Sequence, residues 1–230
     1  MEIKPIAYFR SPFSGKFGVP RQAGLAPDLR GSIVFEPGFR SAEALRGLED
    51  FDYIWLIWEF SGNRKAAPAR FQATVRPPRL GGNRRVGVFA SRSPFRPNPL
   101  GLSSVRLESI DYEAKGPDGK PIGPVINVLG ADLMDGTPIY DIKPYVEYAD
   151  SHPGVHSGFV DGISWEPLEV VIPEGLESQV SDIDILREVL SLDPRPHYQD
   201  DPSKEYGMSF AGKEVRFKVE GQVLSVISVK

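Results

Sequence analysis

Tyr53-Ile54-Trp55-Leu56-Ile57-Trp58-Glu59-Phe60 is almost continuously apolar and rich in residues that favour strands. Eight residues is strand length and too short for a core helix, so the run predicts a strand buried on both faces. Working outward, further strands are expected at 3–9 and 33–35 on the N-terminal side. On the C-terminal side they are expected at 73–76, 86–91, 100–110 and 125–130, with partial alternation over 103–107 marking a half-exposed strand. Ser41 is placed to cap a short helix over 42–48. Gly116-Pro117-Asp118-Gly119-Lys120-Pro121-Ile122-Gly123 reads as a hairpin turn. Strands succeed one another without helices between them. This is the pattern of an antiparallel sheet or barrel, not of a doubly wound α/β fold.

The pattern shifts near residue 150. Residues 150–162 are loop-like and 168–172 form a strand. Val180, Ile183, Leu186 and Leu190 have near-helical spacing, which predicts a helix over 177–192 that Asp193-Pro194-Arg195-Pro196 ends. Alternating runs at 215–219 and 223–229, joined by Glu220-Gly221-Gln222, predict a hairpin. The expected fold is mainly β: an antiparallel β-barrel catalytic domain over 1–150, then a small α+β module over 165–230.

Composition narrows the function classes. Hydrophobic residues make up 40% of the 230, enough for a core. Cysteine is absent, which excludes disulfides and thiolate metal sites. No apolar run approaches the ~20 residues of a membrane span, and Met1-Glu2-Ile3-Lys4-Pro5 lacks a signal-peptide core. A cytoplasmic protein with no membrane attachment is expected. The 22 prolines and 23 glycines favour a turn-rich β architecture.

Charge is unevenly placed. From Phe60 to Leu107 there is no acid, against ten bases: Arg64, Lys65, Arg70, Arg76, Arg79, Arg84, Arg85, Arg92, Arg96 and Arg106. The rest of the chain holds 17 Lys/Arg against 31 Asp/Glu. The island also contains Arg76-Pro77-Pro78-Arg79-Leu80-Gly81-Gly82-Asn83 and Arg92-Ser93-Pro94-Phe95-Arg96-Pro97-Asn98-Pro99. Proline fixes φ and glycine opens φ > 0, so such runs encode loops of defined shape. Rigid loops carrying guanidinium groups suit recognition of a polyanion.

Several chemistries lack support. No Gly-x-Gly-x-x-Gly follows a strand, there is no Walker loop, and no Gly-x-Ser-x-Gly elbow occurs. The three histidines are His152, His156 and His197; the first two lie in a Pro/Gly loop with no carboxylate at ligand spacing beyond Asp150, so no metal is expected. A second dense segment is Leu129-Gly130-Ala131-Asp132-Leu133-Met134-Asp135-Gly136-Thr137-Pro138, continuing through Asp141 to Tyr145. It reads either as a plain turn between two strands or as a site loop. As a site loop, its carboxylates beside glycine backbone could hold an amine-bearing ligand.

Together these segments resemble the TsaA-like family, also called TrmO. The matching motifs are Ser11-Pro12-Phe13 with Lys16-Phe17 and Pro20-Arg21-Gln22, the run from Thr74 to Asn83, the run from Gly87 to Gly101, and Asp132 through Tyr145. The tail resembles the C-terminal module of longer bacterial members. The resemblance implies an S-adenosylmethionine-dependent tRNA methyltransferase with a β-barrel domain, usually a homodimer. It would act on the exocyclic nitrogen of threonylcarbamoyladenosine in the tRNA anticodon loop. It also implies cofactor contacts at Ala23, Gly24, Leu25, Arg92, Leu102, Leu129, Gly130, Ala131 and Asp132. A further pair, Ser61 and Gly62, stands where the family pattern has a His and a polar residue. Arg76, Arg79, Arg84, Arg85 and Arg96 are the expected RNA contacts, and Asp135 is the candidate proton acceptor.

Two rival readings use the same residues: a non-catalytic RNA-binding barrel, and a methyltransferase with a non-RNA substrate. If the island grips phosphates, tRNA affinity will fall steeply with ionic strength, because each neutralised phosphate releases counterions. A salt titration of tRNA binding checks this, and a flat response removes the electrostatic RNA surface.

Overall fold

A computed structural model describes residues 2–62, 71–77, 84–195 and 201–230. Six strands, β1 (Ala7–Arg10), β2 (Arg30–Phe35), β3 (Tyr53–Glu59), β6 (Leu100–Asp111), β7 (Val125–Leu129) and β8 (Pro138–Pro144), form one sheet in the order β1-β2-β7-β6-β3-β8. All its pairings are antiparallel, and β8 pairs with both β3 and β1, so the sheet closes on itself. The short strands β4 (Thr74–Val75) and β5 (Val86–Gly87) pair with each other outside it.

The inward positions of the closed sheet are apolar. Ala7, Phe9, Ile33, Phe35, Ile54, Leu56, Trp58, Val105, Ile126, Val128 and Ile139 form one buried cluster. β3 alternates where burial on both faces was expected. Ile54, Leu56 and Trp58 point inward, while Trp55, Ile57 and Glu59 are half-buried and Tyr53 is exposed. The outer aromatics are only partly covered: Tyr145 packs against Tyr53 and Trp55, and Trp55 Nε1 donates to Asp150 at 3.0 Å. Amphipathic outer side chains thus made a one-sided strand read as a two-sided one.

The C-terminal part builds a second core. β9 (Glu169–Val171), β10 (Tyr206–Phe210), β11 (Lys213–Glu220) and β12 (Val223–Val229) form a sheet in the order β10-β11-β12-β9, with β9 parallel to β12. Among the described residues, α1 (Glu147–Asp150) follows β8, and α2 (Glu174–Glu177) and α3 (Ile183–Ser191) lie between β9 and β10. Leu186, Val189 and Leu190 of α3 pack with Met208, Phe217 and Leu224. Phe13, Ala26 and Leu29 of the first half join this cluster, so the two halves share a core.

Other expectations shift. The helix expected at 177–192 is split, because Ser178-Gln179-Val180-Ser181-Asp182 favours turns, and α3 starts after Asp182. The helix expected at 42–48 is replaced by short 3-10 turns, with Leu45 the buried residue among them, so no apolar stripe holds a longer helix. The strand expected at 86–91 stops at Gly87, and the carbonyl of Val88 instead accepts from Ser91 Oγ at 2.9 Å. β10 was not anticipated, and β8 only as the second of two strands flanking a plain turn.

Register places one large side chain over a glycine. Trp58 pairs with Gly101, and a Cβ on Gly101 would stand 2.3 Å from the Trp58 ring. Gly101→Ala is expected to overpack this layer and lower stability by about 1–3 kcal/mol, read by denaturant unfolding. Native stability would show that the indole can move aside freely.

Candidate functional site

The site starts from a polar residue on the inward face. Ser103 lies between Gly101 and Val105 on β6 and is buried. Trp58 Nε1 donates to Ser103 Oγ at 2.9 Å, and Ser103 Oγ donates to Asp132 Oδ1 at 2.5 Å. Burial pushes the Asp132 carboxyl above its usual range. The Ser103 hydroxyl, the Asp132 backbone, the charge of Arg92 and the Ala23 N–H act in the opposite direction without overcoming it.

Two main-chain segments meet beside this carboxylate. Gly24 N–H donates to the Gly130 carbonyl at 2.8 Å, and Gly130 N–H donates to the Leu29 carbonyl at 2.8 Å. Gly130 has φ +76°, and a Cβ there would sit 3.6 Å from Gly24 Cα. Backbone therefore faces backbone, an approach that glycine permits. Arg92 reaches in from the loop before β6 and donates to Gln22 Oε1. The structure thus brings Ala23, Gly24, Arg92, Gly130 and Asp132 together.

The remaining expected residues differ in what they present. Leu129 and Ala131 are buried, so they offer a ligand main chain only. Leu25 is half-buried. Leu102 points to the outer face of β6, opposite to Ser103, and is exposed. Ser61 Oγ is buried without a hydrogen-bond partner. Gly62 lies beside Met134 and Lys16, and Phe60 N–H donates to the Pro99 carbonyl at 2.9 Å. The Asp135 carboxylate accepts from Ser11 N–H at 3.2 Å and lies 3.6 Å from the Arg10 guanidinium. Its backbone N–H donates to the Phe13 carbonyl at 2.8 Å. These contacts join the 135–137 turn to β1 and the following loop.

The basic island is partly visible. Arg76, Arg84 and Arg85 are exposed; Arg79, with Arg64, Lys65 and Arg70, lies outside the described residues. Arg96 donates to the carbonyls of Ser91 (2.7 Å) and Val88 (3.3 Å) and lies 5.8 Å over the Phe89 ring. Phe89 is 71% exposed and stacks on Phe71, itself 58% exposed, at 6.0 Å.

Three supporting residues were absent from the expected site: Trp58, Ser103 and Gln22. A signal existed for Ser103, a polar residue at an inward position of an alternating strand. Among the described residues, no group of three or more His, Cys, Asp or Glu could hold a metal ion, and no helix is long and apolar enough to cross a membrane.

Comparison with known proteins identifies this arrangement. Residues 8–151 match the tRNA-methyltransferase O N-terminal domain and residues 166–230 the TrmO C-terminal domain. The chain belongs to the TrmO family. A tRNA (adenine(37)-N6)-methyltransferase of Escherichia coli is 35% identical, over 100% of this chain and 97% of its own. A Pseudomonas aeruginosa relative with S-adenosylmethionine-dependent methyltransferase in its name is 41% identical, over 90% of this chain and 87% of its own. The crystal structure of TrmO from Pseudomonas aeruginosa superimposes with a TM-score of 0.77 at 31% identity, covering 100% of this chain and 96% of that one.

The raised Asp132 carboxyl has a stability signature. Its protonated form favours the folded state, so the contribution is full below the ordinary value of 3.8 and is lost as pH rises through the raised folded value. Asp132→Asn lacks this slope and is expected to gain stability relative to the native protein as pH rises through that window. Denaturant unfolding across a pH series checks it, and parallel curves would show that burial leaves the carboxyl unshifted.

Proposed function

We infer that this protein transfers a methyl group from S-adenosylmethionine to the exocyclic nitrogen of adenine 37 of tRNA, the activity named for its relatives. The observation that carries the reading is the convergence of Asp132, the Ala23-Gly24 turn, Gly130 and Arg92 at one end of the closed sheet. On this reading the sheet is the methyltransferase barrel, spanning 1–150, and 165–230 is an accessory α+β module. A cytoplasmic homodimer acting on a threonylcarbamoylated adenosine completes the proposal.

The residues present fit the cofactor. The unpartnered, buried Ser61 hydroxyl offers a polar contact, Asp132 is a buried acceptor for amine or hydroxyl donors, and the Gly24–Gly130 junction leaves main chain uncovered by side chains. Ala23, Gly24, Leu25, Ser61, Gly62, Arg92, Leu102 and Leu129 to Asp132 are the proposed contacts. When bound, the cofactor supplies an electrophilic methyl on a sulfonium centre. The chain's own task is to hold the acceptor nitrogen in near-attack geometry and exclude water.

The RNA face is the acid-free island. Arg76, Arg84 and Arg85 present their guanidinium groups to solvent for phosphates, and Arg79 belongs to the same run. Arg96 braces the 88–91 turn, and the exposed Phe71–Phe89 pair above it suits base stacking. Such a surface favours extrusion of the target base, since the base leaves its own stack.

The test is mass spectrometry of tRNA nucleosides after incubation with the methyl donor. One added methyl on the modified adenosine is expected, and its absence with folded protein overturns the reading. Two carboxylates then separate by role. Asp132→Asn is expected to weaken cofactor binding by about 1.5–3 kcal/mol, the scale of a hydrogen bond to a charged group. Asp135→Asn is expected to slow turnover with near-native cofactor affinity, as a proton acceptor would. Full turnover in Asp135→Asn would leave that carboxylate as the bond between the 135–137 turn and Ser11.

A further inference from the structure

The C-terminal part grips the loop that holds the proposed cofactor turn, and it does so through a left-handed turn braced by a buried ion pair. Asp193 follows α3 with φ +51°, a left-handed conformation uncommon for a residue with a side chain. Arg195 holds it there. Its Nε and Nη2 donate to the two Asp193 carboxylate oxygens at 2.9 and 3.0 Å, its backbone N–H adds a contact at 3.2 Å, and the paired side chains are only 10% and 13% exposed. The turn so fixed aims two carbonyls at one cation from the other half of the chain. Arg21 Nη2 donates to the Arg195 carbonyl at 2.7 Å and to the Asp193 carbonyl at 3.1 Å.

Arg21 is followed directly by the residues that build the site. The Arg21 carbonyl accepts from Gln22 Nε2 at 2.5 Å, which orients the amide so that its Oε1 faces Arg92. Ala23 N–H lies near the Asp132 carboxylate and weakly favours its charged form, and Gly24 N–H donates to the Gly130 carbonyl. The chain leading up to Arg21 is seated on the same module. Phe13 packs edge-on to Phe210, Phe17 stacks on Phe217, and Ala211 N–H donates to the Pro12 carbonyl at 2.8 Å.

We propose that the C-terminal module is a positioning clamp for the cofactor site, acting through Arg21. Among the described residues, the module's hydrogen bonds in this network reach neither Asp132 nor Arg92. The module fixes the peptide that orients their partners, Gln22 and Ala23. Arginine suits the post because a charged guanidinium bridges two carbonyls more strongly than a neutral amide would. The left-handed Asp193 is explained by the same role, since strain at a turn persists where surrounding contacts over-determine it.

This proposal rests on the methyltransferase reading, and its test separates the two. S-adenosylhomocysteine binding to the full chain is measured by calorimetry, beside unfolding midpoints, for the native protein, Arg21→Ala, Arg21→Lys, Asp193→Ala and the Arg21→Ala/Asp193→Ala double variant. Arg21→Ala is expected to weaken binding about tenfold or more, within the usual range of coupling between linked sites. Arg21→Lys, which keeps the charge but not the planar fork, should recover part of that loss. Asp193→Ala should weaken binding too, and the double variant should be no weaker than Arg21→Ala alone, because both act along one path. Native affinity in Arg21→Ala with only a lowered unfolding midpoint overturns the clamp and leaves Arg21 as plain glue between the halves. If Arg21→Ala does not fold, Arg21→Lys carries the comparison, and native affinity there beside a loss in Asp193→Ala overturns the path through Arg21. A native protein that binds no S-adenosylhomocysteine overturns the functional reading itself, and the clamp with it.

Discussion

A carboxylate kept out of water organises the N-terminal half of this chain. Asp132 is stabilised by a hydroxyl from β6, an N–H from the loop between β1 and β2, and the field of a guanidinium from the loop before β6. Each donor belongs to a different element, so the buried acid ties three segments to one point. A buried charge left without partners is costly, which makes the arrangement cooperative. It also depends on register. β3 and β6 pair so that Trp58 meets Gly101 and Leu56 meets Ser103. A slip of one residue would turn Ser103 outward and bring Leu102 in, and the indole-to-hydroxyl-to-carboxylate chain would vanish.

Charge placement acts at longer range. Outside the Phe60 to Leu107 island the chain carries 17 Lys/Arg against 31 Asp/Glu, a net negative charge that disfavours a polyanion there. The island contains the loop that carries Arg92, so the proposed RNA face is continuous in sequence with the face that meets Asp132. Attraction at one patch and repulsion elsewhere restrict how a tRNA can approach before any base is read. The exposed Phe71 and Phe89 rings fit this picture better than a core role, because each has most of its surface in water and a stacked aromatic neighbour.

Much of this was legible in the sequence, and the failures have physical causes. Strands rich in apolar and β-branched residues, such as β2, β7, β11 and β12, lie close to where they were expected. β8 was hidden because Pro138, Asp141, Lys143 and Pro144 are poor strand formers; tertiary pairing with β1 and β3 overrides their propensity. β10, Tyr206-Gly207-Met208-Ser209-Phe210, alternates cleanly but is short. Among the residues that converge in the structure, Asp132, Gly24, Gly130 and Arg92 were expected from motifs. Trp58 and Ser103 were not, because each looks like ordinary strand filling until the register is known. The Arg21–Asp193–Arg195 contact joins residues more than 170 positions apart, and no local pattern announces it.

A site made of main-chain turns has a difficulty of its own. The chain between Arg10 and Arg30 contains no helix or strand, yet it supplies Gln22, Ala23 and Gly24. A connection of that length is uncommon in a compact domain and is mobile unless something holds it. Here the holding comes from the second core, where Phe13, Ala26 and Leu29 are buried among C-terminal side chains. Methyl transfer asks for little acid–base chemistry, since its leaving group is already activated, but it depends steeply on geometry. A protein with three histidines and no cysteine can meet that demand if its loops are rigid. The C-terminal module therefore does for the 11–29 loop what a helix or strand does elsewhere: it replaces local hydrogen bonding with packing, and fixes a turn that its own sequence leaves free.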